Sequence, residues 1–232
     1  MRVDLPRRIA AEAIGSAFLL VAVVGSGIMA DRLCGGNVGL ALLCNALATG
    51  AALAALILTF GSVSGEHFNP VVTLADAVLG SMPWRDVPAY VAAQVAGGAF
   101  GVAIADLMFE LPAFSFSTHA RTGAAQWLAE VVATFGLVAT IHGVSRRSPT
   151  ATPFAVAAYI VGAYWFTAST SFANPAVTLA RSLTDTFAGI RPADVPGFVV
   201  AQLVGGGLAT VVFRWLVPVA VEVPRVVDRS AS

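Results

Sequence analysis

The sequence predicts an all-α membrane protein: six transmembrane helices and two re-entrant half-helices, built as an inverted repeat of three spans plus three. Three observations carry that expectation. Hydrophobic residues make up 57% of the chain and charged residues 11%, with a mean hydropathy of +0.82, whereas a soluble domain sits near roughly 45–50% and 25%. Six apolar stretches follow one another along the chain. And the segment "FNPVVTLAD" at Phe68–Asp76 returns as "ANPAVTLAR" at Ala173–Arg181, 105 residues later.

The spans, in order, are Ile9–Ala30, Val38–Phe60, Val87–Phe109, Ala124–Ser145, Phe154–Ala168 and Val195–Val217. Most approach or exceed the roughly 20 residues that cross a hydrocarbon core. The first follows Arg7 and Arg8 as a signal peptide would, but its "AAE" at Glu12 is answered by "LAE" at Glu130, which assigns it to the mature fold. The third and sixth answer each other as "DVPAYVAAQVAGGAFG" from Asp86 and "DVPGFVVAQLVGGGLA" from Asp194. Their small residues, Gly97 and Gly101 among them, suit close helix approach. One channel domain is expected over residues 1–232, with repeat 1 at about 8–110 and repeat 2 at about 122–218. An odd number of spans per repeat turns the second copy upside down, which places a path for permeants at the midplane.

Each Asn-Pro box lies between spans in a segment too short and too polar to cross, so it reads as a re-entrant half-helix. Proline suits the first helical turn and asparagine the N-cap. The half-helices are expected to begin at Pro70 and Pro175, capped by Asn69 and Asn174, with Val71 and Ala176 following. Inversion brings their N-termini together at the bilayer centre, where two positive dipole ends disfavour cations and protons. The segments before them, Gly65-Glu66-His67 and Thr170-Ser171-Phe172, are expected to be non-helical and to offer a ladder of carbonyl acceptors. Amide donors and carbonyl acceptors on an apolar wall suit a small neutral solute with hydroxyl groups.

Every one of the 13 basic residues is arginine. In a six-span arrangement Arg2, Arg7, Arg8, Arg85, Arg146, Arg147, Arg225 and Arg229 fall on one side, against Arg32, Arg121, Arg181 and Arg191 on the other. That bias puts both termini in the cytoplasm. A net charge of zero offers no patch for nucleic acid. Cys34 and Cys44 form no disulfide framework, and His67, His119 and His142 have no metal spacing, so neither cofactor nor metal is expected and an enzyme is disfavoured.

"SGEHFNPVVT" and "ANPAVT" resemble the two signatures of the major intrinsic protein family, the aquaporins and aquaglyceroporins, with Val71 where alanine is usual. The resemblance covers nearly the whole chain and implies a membrane-embedded homotetramer in which each protomer has its own pore. It makes Glu12 and Glu130 braces for the irregular loops; as proton carriers they would instead belong to an inverted-repeat secondary transporter.

Carried over by spacing, the family's narrowest ring falls on Thr49, Gly162, Ser171 and Val177. Water-selective members carry an aromatic residue, a histidine and an arginine there; this chain lacks the aromatic and has Val177 for the arginine. The ring is therefore expected to be wide and to pass glycerol-like polyols and metalloid hydroxides such as arsenite's neutral acid, with some water; a water-selective pore is the alternative. Ion discrimination is left to the half-helix dipoles, with Arg181, one turn beyond Val177, as a candidate vestibule charge. The pattern resembles a bacterial branch linked to arsenic resistance, which implies the bacterial inner membrane.

Overall fold

The computed structural model describes residues 3–216, and all regular structure among them is helical. Eight α-helices follow in order: α1 Leu5–Leu33, α2 Val38–Ser64, α3 Pro70–Val78, α4 Val87–Met108, α5 Ala124–Ser145, α6 Thr152–Phe166, α7 Pro175–Arg181 and α8 Val195–Leu216. Helices α3 and α7 are the expected half-helices, and the other six are the expected spans. Arg2, Arg225, Arg229 and Val217 lie outside the described residues.

Several span boundaries depart from those expected, and helix α1 starts four residues before Ile9 and ends three beyond Ala30. Helix α2 runs four residues past Phe60, because Gly61–Ser64 continue the helix until Gly65 ends it in the left-handed region at φ +89°. Helix α6 stops at Phe166 rather than Ala168, since Thr167 turns extended and its hydroxyl bonds back to the Ala163 carbonyl at 2.6 Å. With 15 residues, α6 rises only about 22 Å, short of the ~30 Å core. Among the described residues, five helices are long and apolar enough to cross a membrane, and α6 completes the bundle as a shorter sixth.

The repeat is written into helix packing. A side chain at Gly97 or Gly101 would run into the carbonyls of Ala13 and Ala17, so α4 lies backbone to backbone on α1. Gly205 repeats the arrangement against the Val131 carbonyl, joining α8 to α5. Replacing Gly97 with valine is expected to cost about 1–3 kcal/mol or more, because rigid backbone faces the new methyls. Thermal unfolding in detergent measures it, with Gly207→Ala, which meets nothing within 4 Å, as the neutral control.

On the side where α7 ends, the connection between α4 and α5 is laced to the segment after α7. The Ser115 N–H donates to the Leu183 carbonyl at 2.8 Å, and Arg191 N–H to the His119 carbonyl at 2.7 Å. The backbone N–H of Thr118 and then its hydroxyl donate to Asp185, which holds that carboxyl below the usual aspartate range. This lacing fixes where Arg121 sits.

Candidate functional site

The two boxes are held by one hydrogen-bond pattern used twice. Glu12, fully buried in α1, accepts from the N–H groups of His67 (3.1 Å) and Phe68 (2.7 Å), from Ser64 Oγ (2.7 Å) and from Gln94 Nε2 (2.8 Å). Glu130, fully buried in α5, accepts from the N–H groups of Phe172 and Ala173, both at 2.9 Å, and from Gln202 Nε2 at 2.6 Å. Each glutamine also donates to a box threonine, Gln94 to Thr73 and Gln202 to Thr178. Those threonines donate in turn to the carbonyls of Asn69 and Asn174. Both carboxylates are thus saturated with donors, as buried charges require. The glutamates stand out in the sequence, whereas Gln94, Gln202, Thr73 and Thr178 emerge as their partners only in the fold. The signal was present, since each pair recurs in register in the duplicated segments.

The braces hold unusual backbone. Glu66, Phe68, Ser171 and Ala173 all have φ between 47° and 51°, and Thr170 has φ 60°. Such conformations cost roughly 1–3 kcal/mol each for non-glycine residues and persist only where surrounding bonds impose them. Here the donors to Glu12 and Glu130 come from within those same turns.

Asn69 and Asn174 cap their half-helices as expected, their Oδ1 atoms accepting from Val71 N–H (2.9 Å) and Ala176 N–H (3.0 Å). Their amides also bond across to the opposite box. Asn69 Nδ2 donates to the Ala173 carbonyl at 2.8 Å and Asn174 Nδ2 to the Phe68 carbonyl at 2.7 Å. The two half-helices are stitched together across the pseudo-twofold axis. Each amide has two N–H donors, and this bond occupies one of them.

A cavity of about 400 Å³ is bordered by both asparagines. At one mouth it reaches Arg146 and Pro149, beside the C-terminal ends of α2 and α5. Gly65, Glu66 and His67 border that half, and the His67 ring is pinned between Thr73 Oγ1 and Asp76 Oδ2, both at 3.0 Å. At the other end the wall consists of Thr49, Tyr164, Phe172 and Val177.

The four expected ring positions divide by whether they border this cavity. Thr49 and Val177 border the cavity, but Gly162 and Ser171 do not. Ile160 and Tyr164, one turn apart, present the α6 face that lines it, and Gly162 lies about half a turn away. A side chain there would face the Phe166 ring, which packs on Tyr159. The Tyr164 hydroxyl instead donates to Thr49 Oγ1 at 3.3 Å, closing the ring from the α6 side. Ser171 is buried with its hydroxyl unpartnered, and neither it nor Thr170 borders the cavity; of the second carbonyl segment only Phe172 does. Arg181 does not border the cavity. It is 2% exposed, its Nε donates to the Ala188 carbonyl, and its guanidinium lies 3.4 Å above the Phe172 ring.

Comparison with known proteins agrees with this fold. The family model described as "Major intrinsic protein" matches residues 1–169. The chain is 57% identical to aquaglyceroporin AqpS of Rhizobium meliloti (strain 1021) over 92% of its length and 91% of that protein's. It is 32% identical to aquaporin AqpM of Methanothermobacter marburgensis, over 92% of this chain and 98% of the relative. Among solved structures, the aquaglyceroporin from Plasmodium falciparum shares the fold at a TM-score of 0.66 and 22% identity, covering 92% of this chain and 95% of that one.

Proposed function

This chain belongs to the major intrinsic protein family, and on that premise we propose that it is a wide-pore passive channel for glycerol-like polyols and neutral metalloid hydroxides such as arsenite's neutral acid, with some water. Its coarser role, a multi-pass membrane channel for small neutral solutes, comes with its family and its relatives. The finer reading rests on one observation: the end of the cavity away from Arg146 is walled by Thr49, Tyr164, Phe172 and Val177, with no charged side chain bordering it there. Hydroxyls on Thr49 and Tyr164 can hand a polyol's hydroxyl groups past an isopropyl wall. A guanidinium at Val177 would hold a water-sized gap instead.

We place the channel in the bacterial inner membrane, in contact with lipid, as a homotetramer of single-domain protomers with both termini cytoplasmic and a role in arsenic resistance. Relatives named aquaglyceroporin favour the polyol reading. A stopped-flow panel on proteoliposomes, comparing water, glycerol, urea and neutral arsenic and antimony hydroxides, tests it. Water passing alone would reject the wide pore.

The stitched asparagines give a sharper check. In Asn174→Asp the donor that faces the Phe68 carbonyl becomes an acceptor, setting two oxygens together at the centre of the path. Neutral-solute flux is expected to fall at least about tenfold. A variant conducting at the parent rate would remove Asn174 from the path.

A further inference from the structure

The ring holds no arginine, yet two arginines lie just behind it. Arg181, at the end of α7, and Arg121, in the loop between α4 and α5, both bring a guanidinium to Phe172, at 3.4 Å and 5.1 Å from the ring centroid. Adjacent carbonyls hold them. Arg181 Nε donates to Ala188, and Arg121 Nε donates to Gly189 at 2.8 Å. Among the described residues neither guanidinium makes an ion pair. Asp194 meets only the Arg121 backbone N–H, its side chain being bridged to Arg191. Glu130 is the carboxylate whose field reaches both, but its oxygens are occupied by Phe172, Ala173 and Gln202. Two cations against one anion leave a net positive charge beside Phe172, which borders the cavity.

A buried charge without a counterion is expensive and is retained in membrane proteins for a role in the path. In a medium of low dielectric its field reaches well beyond contact distance. A positive field set behind an apolar wall raises the energy of a cation at the ring without touching a neutral solute. Arginine suits that place because it stays protonated and its planar face stacks on an aromatic ring.

We propose that Arg121 and Arg181 form the principal cation barrier of this channel, displaced from the Val177 position to a pair behind Phe172, Arg181 buried and Arg121 half-buried. The pore thereby keeps a wide ring for neutral solutes while excluding cations. This inference rests on the channel reading above.

Proteoliposomes carrying the wild type, Arg121→Gln, Arg181→Gln, the double variant and Arg181→Lys test it, with potential-driven potassium flux and glycerol flux measured on the same vesicles. The double variant is expected to raise potassium flux at least about tenfold, with each single variant intermediate and the lysine variant near wild type. Glycerol flux is expected to stay within about twofold, since neither side chain borders the cavity. Arg121→Glu provides an independent arm at a half-buried loop position, expected to admit potassium even if substitutions at Arg181 prevent folding. Potassium flux at the wild-type level in Arg121→Glu, with glycerol flux intact, overturns the proposal. So does equal leak from Arg181→Lys and Arg181→Gln. A wild type that passes no glycerol would instead reject the channel reading.

Discussion

Glu130→Gln is expected to yield a protein that is far less stable and barely conducts. Its carboxylate accepts from two backbone N–H groups and one glutamine amide. A glutamine offers one acceptor oxygen and turns an NH₂ group toward at least one of those donors. A lost charge-assisted bond and a stranded buried N–H together cost about 2–4 kcal/mol. The consequence is local before it is global, because Ser171 and Ala173 hold left-handed φ values of 51° and 49° that the brace imposes. Released, that segment relaxes and draws Asn174 out of its bond to the Phe68 carbonyl. Unfolding in detergent and glycerol flux per folded protein are the measurements, and Glu12→Gln should behave alike. A folded Glu12→Gln protein that has lost only a proton-dependent uptake would make these groups proton carriers and the molecule a transporter.

The braces were legible because the chain says everything twice. Glu12 and Glu130 stand out by register, and Asn-Pro fixes each half-helix start through N-cap chemistry that operates within three residues. Helix α5 spans the residues its apolar stretch marks, since both ends are bounded by polar or glycine residues. What escaped depends on helix phase and tertiary lacing. Counting back from a box selects Gly162, but the α6 face that meets the cavity is set by packing on α2 and α5, and it presents Ile160 and Tyr164. Arg121 sits in a loop without periodicity, and only the tether of Thr118 to Asp185 and of His119 to Arg191 shows why it reaches Phe172. For Arg181, spacing gave the helical face but not its burial.

Val177→Arg should narrow the ring. Val177 is 6% exposed, borders the cavity, and is fixed in the first turn of α7 by its N–H bond to Asn174 Oδ1 at 3.2 Å. The backbone there cannot yield without breaking the cap, so a longer side chain must find room within the ring. Two directions are open to it. Along the helix it meets Arg181, four residues on, whose buried guanidinium already covers the Phe172 ring; like charges one turn apart repel. The remaining direction is across the cavity toward Thr49 and Tyr164, where hydroxyls can accept from its N–H groups. The guanidinium would then occupy the gap that a polyol needs while leaving passage for a single file of water. Glycerol flux is expected to fall at least about tenfold, an added barrier of about 1.4 kcal/mol, with water flux falling several-fold less. Val177→Ile, which adds bulk without charge or donors, should lie between. The stopped-flow ratio of glycerol to water permeability separates these cases, and a ratio unchanged in Val177→Arg would mean that this side chain does not face the permeant.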